Sequence, residues 1–191
     1  INPLSSLEYY KDKARVNTII ASVAPSYRIT DDLEYKVLFS VNRQSGVRKG
    51  MANRLLNLQG IENRGLAFIN NSEQTNTQIT HTLNYNKQIT SSLNLNAVAG
   101  YEWLTFNNRG NGVSGRDFSN VGLNYYDILQ YSTTADRSIG SGINPTTELQ
   151  SYFARAILNY KDRYLLTGTF RADGSTRFGK NNKYGYFPSI G

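Results

Sequence analysis

Cysteine is absent from the 191-residue sequence, and histidine, methionine and tryptophan occur once each. Without cysteine the chain has no thiolate nucleophile and no thiolate zinc site. The single histidine, His81, stands on the apolar face of an alternating segment with Ile79 and Leu83, which favours a packed ring over a metal ligand. We therefore expect no enzyme activity, no cofactor and no bound metal.

Long apolar runs and blocks of like charge are also missing. No run approaches the ~20 apolar residues of a membrane helix, whereas the half-apolar strands of a membrane barrel remain compatible with the sequence. The net charge of +7 could suggest nucleic acid, but Lys and Arg are scattered, and a basic surface that faces anionic lipid or an anionic envelope explains the charge at least as well. The chain begins at Ile1 without a charged-then-apolar leader, so we expect an excerpt from a longer protein.

Alternation of apolar and polar side chains, with a period of two, is the dominant pattern. It is clearest in residues 33–42, 93–103 and 164–173, and Pro25 interrupts one of the weaker copies, where a bulge is expected. The weaker copies are residues 18–29, 77–86 and 150–160. The pattern predicts an all-β protein with about six strands.

The predicted connections alternate between short and long. The sequence predicts tight turns at Asp31-Asp32, residues 87–92 and residues 161–163. It predicts long loops, rich in Asn, Gly and Ser, at residues 43–76 and 104–149. Short turns on one rim and long loops on the other are typical of outer-membrane barrels. We expect an antiparallel up-and-down meander that is part of a large transmembrane outer-membrane β-barrel.

The two faces of the predicted strands differ in the side chains that they carry. Rings form two groups on the apolar face, as expected for belts at two lipid–water interfaces: Tyr27, Tyr35, Tyr85, Tyr160 and Tyr164 near the short turns, and Tyr101, Trp103, Tyr152 and Phe170 near the long loops. The residues predicted to face lipid are Leu33, Val37, Phe39, Leu95, Ala97, Leu166 and Phe170. Those predicted to face the lumen are Lys36, Asn94, Asn96, Arg155 and Arg171. A soluble antiparallel sandwich is disfavoured because no second apolar layer is supplied.

Two groups of side chains are candidates for ligand contact. Arg155, Arg171 and Asp173 lie on the polar face, and Arg177 follows them in the next loop. They either contact solute or form an ion network that fixes the strand register. The second group lies in the second long loop, where tyrosines stack on sugar rings, anchor a partner or pack the loop: Tyr125, Tyr126 and Tyr131.

Two glycine-rich stretches imitate nucleotide-binding motifs. Gly174, Gly179 and Lys180 fall one residue short of a P-loop, because Asn181 stands where Ser or Thr is required. Residues 110–115 spell a dinucleotide fingerprint. Both motifs need a following helix, and neither is followed by a helical pattern. We expect residues 110–115 to be a flexible loop and residues 173–183 to be a hairpin loop, with positive φ at its two glycines and an ion pair from Asp173 to Arg171 or Arg177.

The last 32 residues, YKDRYLLTGTFRADGSTRFGKNNKYGYFPSIG, closely resemble the barrel segment of SusC/RagA-type TonB-dependent outer-membrane transporters. The shared run is a Tyr-Leu-Leu-Thr strand, an Arg, the Asp-Gly-Ser turn sequence ending in Arg-Phe-Gly, and Asn-Lys-Tyr-Gly-Tyr-Phe-Pro-Ser. The departures are Gly168 for the usual Ala, Ala172 for a larger residue and Thr176 for Ser. The resemblance extends more loosely over most of the chain and is most specific from Ser151 onward.

The resemblance implies that residues 1–191 are a partial TonB-dependent receptor β-barrel domain, without a plug domain or a TonB-contacting segment. It places the protein in the outer membrane of a Gram-negative bacterium, surrounded by outer-membrane lipid. It also implies a SusD-like surface lipoprotein that captures an oligosaccharide or peptide substrate, and energy supplied by the TonB complex through the missing N-terminal part. Nucleic acid is not expected as a partner.

Two other functions stay open on the sequence. One is a passive outer-membrane channel or adhesin barrel, which would lack the plug and the energy coupling. The other is a soluble β-rich carbohydrate-binding module, which would remain monomeric without detergent.

Overall fold

The computed structural model describes residues 3–56, 64–119, 122–179 and 182–191. Strands dominate it, in agreement with the all-β prediction. The strands are β1 (Tyr10–Val23), β2 (Ser26–Arg28), β3 (Leu33–Ala52), β4 (Leu66–Thr90), β5 (Leu93–Arg116), β6 (Ser138–Ile143), β7 (Thr147–Tyr160), β8 (Tyr164–Ser175) and β9 (Tyr184–Ile190). One α-helix, α1 (Pro3–Tyr9), precedes them, and three 3₁₀ turns follow β5 at Tyr125–Asp127, Leu129–Tyr131 and Thr134–Asp136. Within the described ranges, no helix is both long and apolar enough to cross a membrane.

The strands form one antiparallel sheet in the order β1-β3-β4-β5-β7-β8-β9, with β2 paired to β3 and β6 paired to β5. Neighbours in the sheet are neighbours along the chain, which confirms the predicted meander. The break between β1 and β2 contains Pro25, which has no N–H to donate to the ladder. β9 begins at Tyr184, where the sequence predicts a new strand after residues 173–183.

The predicted tight turns at Asp31-Asp32 and residues 161–163 are confirmed, whereas the turn predicted at residues 87–92 is shorter, because β4 continues to Thr90. Between β7 and β8, Lys161 and Asp162 have φ values of 56° and 50°, the left-handed conformation that hairpin turns of the primed types require. Between β2 and β3, the Leu33 N–H donates to the Thr30 carbonyl at 3.3 Å. β4 and β5 are separated by only two residues.

The two predicted long loops are wrong in extent, because most of their residues are strand. β3 continues to Ala52, β4 starts at Leu66, and β5 runs to Arg116. A strand needs only ~9–11 residues to cross a hydrocarbon layer, and β4 has 25 residues. The residues of β4 beyond that length need not alternate between apolar and polar side chains. Where Asn, Gln, Ser and Gly occupy both faces, apolar and polar side chains do not alternate, and the sequence pattern does not indicate a strand.

The glycine-rich residues 110–115 are also strand, so their prediction as a flexible loop is wrong. They lie in β5 and pair with β6 in a register that runs from Arg109 opposite Ile143 to Ser114 opposite Ser138. The stretch opens no helix, which excludes the dinucleotide-binding interpretation on structural grounds.

The described residues divide into two compact units. Unit 1 comprises Ile1–Thr18, Arg43–Gln74 and Asn108–Asn144. It has a small hydrophobic core, in which the Phe118 and Tyr125 rings stack with centroids 4.3 Å apart and the Tyr125 N–H donates to the Met51 sulfur at 3.3 Å. Ala67 and Tyr126 complete the buried set, and Ile69, Ile128 and Leu129 pack against it.

Unit 2 comprises Ile19–Asn42, Thr75–Asn107 and Pro145–Gly191. Its most extensive side-chain contacts are a row of rings across neighbouring strands: Tyr35 and His81 have centroids 6.0 Å apart, His81 and Tyr101 6.3 Å, and Tyr101 and Tyr152 5.1 Å. The Tyr35 hydroxyl lies 2.5 Å from His81 Nδ1. The prediction of a packed His81 is confirmed. Sequence spacing assigned Tyr35 and Tyr101 to separate groups, whereas the structure joins them through His81.

Gly100 occupies a position where the sheet has no room for a side chain. A Cβ built there would meet the Phe153 ring and come within 2.7 Å of the His81 carbonyl oxygen. Gly168 lies on β8, two strands from β5 in the sheet, and a Cβ there would meet nothing within 4 Å. We expect Gly100→Ala to destabilise the intact protein by about 1–3 kcal/mol through overpacking, measured as the urea midpoint of unfolding in detergent. Gly168→Ala is the matched control, and equal shifts in both variants would contradict the packing described for Gly100.

Val37 and Leu38 test the predicted faces of β3. If Val37 faces lipid, Val37→Lys costs about 2–4 kcal/mol near the middle of the hydrocarbon layer, whereas Leu38→Lys on the other face costs far less. The measurement is unfolding in lipid vesicles. The reverse order would mean that the strand presents its other face to lipid, since a one-residue shift exchanges the faces.

Candidate functional site

Arg171 on β8 is the centre of a polar cluster in unit 2. Its Nε donates to both carboxylate oxygens of Asp173, at 2.7 and 3.0 Å, and its Nη2 donates to the Ser151 hydroxyl at 3.1 Å. The same Nη2 lies 3.4 Å from Glu102 Oε1, and the guanidinium stands 5.9 Å from the centroid of the Phe153 ring. The structure therefore pairs Asp173 with Arg171, one of its two predicted partners.

Strand register explains why these side chains meet. Glu102 lies opposite Ser151, and Ser151 lies opposite Asp173, so the three residues share one face of β5, β7 and β8. Arg171 reaches the same face from two residues earlier, opposite Phe153. The Glu102 carboxylate also accepts from Gln78 Nε2 at 2.9 Å and Thr80 Oγ1 at 3.3 Å, which brings β4 into the cluster.

The cluster has one cation between two carboxylates and stays accessible to solvent. The side chains of Arg171, Asp173 and Glu102 are 45%, 36% and 20% exposed. Glu102 accepts from donors on two strands, β4 and β8, whereas Arg171 remains 45% exposed. The arrangement suits both interpretations of the sequence, because the same ion network fixes register and presents a guanidinium to solute.

The other two predicted arginines lie on β7 and in the loop after β8. Arg155 lies opposite Thr169 and Val98 and shares the face of Arg171 by strand alternation. Arg177, in the loop after β8, donates from Nε to the Thr147 hydroxyl at 3.1 Å. Arg177 therefore ties its loop to β7, and the structure gives Asp173 to Arg171.

The loop tyrosines have different environments. Tyr125 is completely buried and Tyr126 is 5% exposed, so their rings pack the loop, with Lys49 Nζ 4.4 Å from the Tyr126 centroid. Tyr131 is 70% exposed. Of the three candidates, Tyr131 keeps a ring face that a sugar or a partner protein can reach.

The P-loop look-alike is part of a strand and its following loop. Gly174 lies in β8, and β9 rather than a helix follows. Neither Gly174 nor Gly179 has positive φ, so that prediction is wrong. Instead, the lack of a side chain at Gly174 lets the Tyr184 ring approach the backbone, because a Cβ there would lie 2.6 Å from that ring. Lys180 and Asn181 lie outside the described residues.

Sequence reasoning missed a polar groove in unit 1. The groove has a volume of about 420 Å³ and is lined by the amides of Gln44, Gln74, Asn108 and Asn144, by Ser72, and by the charged pair Glu73 and Arg109. Its floor includes glycines of β3, β5 and β6, and a Cβ on Gly46 would lie 2.9 Å from the Ser72 hydroxyl oxygen. Amide and hydroxyl groups bind uncharged ligands through hydrogen bonds. The available signal was the neutral polar residue at every second position, as in Ser72 and Gln74.

Two residues that line the groove, Glu73 and Arg109, belong to an ion triad whose side chains alternate along the strands with Ser72 and Asn108. Glu73 on β4 accepts from Arg109 Nε on β5 at 2.5 Å and also binds Arg43 on β3. Hydrogen bonds from Arg109 and then Arg43 hold the pKa of the Glu73 carboxyl below its ordinary value. Among the described residues, no group of three or more His, Cys, Asp or Glu side chains is placed to hold a metal ion.

Comparison with known proteins finds similarity along nearly the whole chain. It is 31% identical over 188 residues to TonB-dependent receptor P3 of Formosa agariphila, an alignment that covers 98% of this chain and 18% of the relative. The chain is thus similar to a segment of the TonB-dependent receptors. It is also 29% identical to the TonB-dependent receptor SusC of Bacteroides thetaiotaomicron, over 99% of this chain and 18% of SusC. These relatives are receptors, in agreement with the expectation that the chain is not an enzyme. No protein-family model matches it.

The fold of the chain is also found in solved structures. The RagAB peptide transporter superposes with a TM-score of 0.84 at 17% identity, over 96% of this chain and 20% of the transporter chain. The same structural segment is found with a TM-score of 0.82 in the RagAB importer described as closed-closed. The chain thus spans about a fifth of the length of the proteins it matches.

Substitution of Asp173 tests whether its ion pair with Arg171 orders the loop after β8. Asp173→Ala removes the carboxylate that holds Arg171 beside the loop after β8, so we expect several-fold faster tryptic cleavage after Arg177. Asp31→Ala, which removes an aspartate from the turn before β3, serves as the control. Unchanged cleavage in Asp173→Ala would show that the ion pair does not order the loop.

Proposed function

We propose that the chain is part of the barrel wall of an outer-membrane TonB-dependent transporter for energy-coupled uptake of oligosaccharides or peptides. The observation that carries the proposal is similarity to TonB-dependent receptors along nearly the whole chain. The wall's role is to enclose a pathway and to present polar side chains to solute. Motion and energy coupling belong to segments that precede it, which contact the TonB complex.

The groove of unit 1 supports a hydrogen-bonding substrate. Four amides and a hydroxyl line it beside the Glu73–Arg109 ion pair, and the neutral groups match the hydroxyls of a sugar and the backbone amides of an extended peptide equally well. The RagAB relative is named a peptide transporter. We infer the same two substrate classes for this protein on the chemistry of the groove.

The Arg171 cluster of unit 2 supports a second solute contact. Its exposed guanidinium offers donors to a carboxylate or hydroxyl, while Asp173, Ser151 and Glu102 fix its position. Such a preorganised arginine loses little entropy on binding. Tyr131, exposed on a 3₁₀ turn, is the residue we propose for contact with a SusD-like surface lipoprotein or with the substrate that it delivers.

The groove is testable in cells that express the full-length protein. We expect Gln44→Ala combined with Asn108→Ala to raise the half-saturating concentration for uptake about tenfold, since each lost hydrogen bond costs roughly 0.5–1.5 kcal/mol. Labelled oligosaccharides and peptides are the probes. Ser45→Ala, one residue from Gln44 and on the other face of β3, is the matched control. Equal half-saturation in all variants would remove the groove from the substrate pathway.

The energy requirement separates a transporter from its rivals. Uptake by a TonB-dependent transporter stops when the proton-motive force is collapsed or the TonB complex is deleted. Uptake that persists under both conditions would indicate a passive channel. A full-length protein that is monomeric in detergent-free buffer and binds the oligosaccharide there would indicate a soluble carbohydrate-binding module.

A further inference from the structure

The Arg43–Glu73–Arg109 triad holds more positive charge than its carboxylate neutralises. Glu73 is only 21% exposed, whereas Arg43 and Arg109 are 56% and 66% exposed. The carboxylate therefore lies beneath two outward-directed guanidinium groups and orients both of them. An arginine has five N–H donors, so each guanidinium keeps donors that Glu73 does not use.

Strand alternation adds two more cations to this face. Asp12 on β1 binds Arg48 on β3, with Arg48 Nε 3.0 Å from Asp12 Oδ1. Arg48 is five residues from Arg43 and therefore points to the other face of β3. Lys13 and Arg15, at odd spacing from Asp12, consequently share the face of Arg43. All of β1 is exposed.

Apolar side chains lie directly beside these cations. Ile143 on β6 is opposite Arg109, and Ile139 is opposite Val113 on β5, so the two isoleucines share the face of the triad. They are 79% and 85% exposed. Exposed aliphatic side chains next to arginines are typical of a surface at the boundary between lipid headgroups and acyl chains.

We propose that Arg43 and Arg109 bind the phosphate of an anionic membrane lipid, with Ile143 and Ile139 against its acyl chains. The inference rests on the proposed location in the outer membrane and concerns lipid rather than substrate. A guanidinium pair matches a phosphate because two planar donors meet two oxygens at once. Glu73 acts as a positioning residue that keeps the two side chains parallel to the surface and limits their mutual repulsion.

The experiment uses the purified full-length protein in neutral detergent and a fluorescent phosphatidic acid as the probe. We expect saturable binding that Arg43→Gln combined with Arg109→Gln weakens about tenfold. Arg48→Gln is the matched control, because it also removes one cation from an ion pair on β3, and it should leave the affinity unchanged. A diacylglycerol with the same chains and no phosphate should bind at least tenfold more weakly.

Glu73→Gln separates lipid binding from a structural role. It keeps both arginines and removes the negative charge, so we expect phosphatidic acid to bind more tightly even if the variant unfolds more easily. A purely structural triad predicts lower stability with unchanged affinity, and that result would overturn the proposal. Displacement of the probe by millimolar inorganic phosphate would also overturn it, by indicating a site for free anions. The binding experiment contains no transport substrate. A failure of the lipid proposal, seen as loss of lipid binding, is therefore distinguishable from a failure of the proposed transport function, seen as loss of uptake.

Discussion

Register between antiparallel strands is the constraint on which the rest of this protein depends. Unit 2 has almost no buried core of its own, and Ala172 is its buried hydrophobic residue among those described. Its strands are held by backbone ladders, such as the one that runs from Leu93 opposite Tyr160 to Phe106 opposite Thr147. A slip by one residue would exchange the faces, separating Glu102 from Arg171 and Tyr101 from Tyr152. The functional groups of unit 2 are thus consequences of pairing rather than of core packing.

Unit 1 uses the two faces of the same strands for two kinds of chemistry. The neutral side chains of the groove have one parity on β3, β4 and β5, and their immediate neighbours form the Arg43–Glu73–Arg109 triad, of which Glu73 and Arg109 also line the groove. Neutral donors and acceptors suit a substrate that must bind and then leave, whereas paired cations suit an anionic surface.

The sequence was informative where the two faces of a strand differ in polarity. Residues 33–42, 93–103 and 164–173 alternate strongly, and the structure has β3, β5 and β8 there. The Arg171–Asp173 pair followed from the same alternation. The extensions of β3, β4 and β5 were hidden because both faces are polar, and β6 was hidden because Ser-Ile-Gly-Ser-Gly-Ile resembles a loop. The burial of Tyr125 depends on Met51, which is distant in sequence, as well as on Phe118, so a local pattern alone could not indicate it.

The small core around Phe118 and Tyr125 has a consequence for how this protein can change over generations. The loop after β5 packs around the stacked Phe118 and Tyr125 rings. Lys11 binds Asn124 and Lys49 binds Asp127, which hold the loop in place. The shape of the loop therefore does not depend on its exposed residues. Leu123 and Tyr131, which are 53% and 70% exposed, can be replaced with little loss of stability. Selection for a new nutrient or a new partner can therefore act on these positions while the fold of the segment is inherited unchanged.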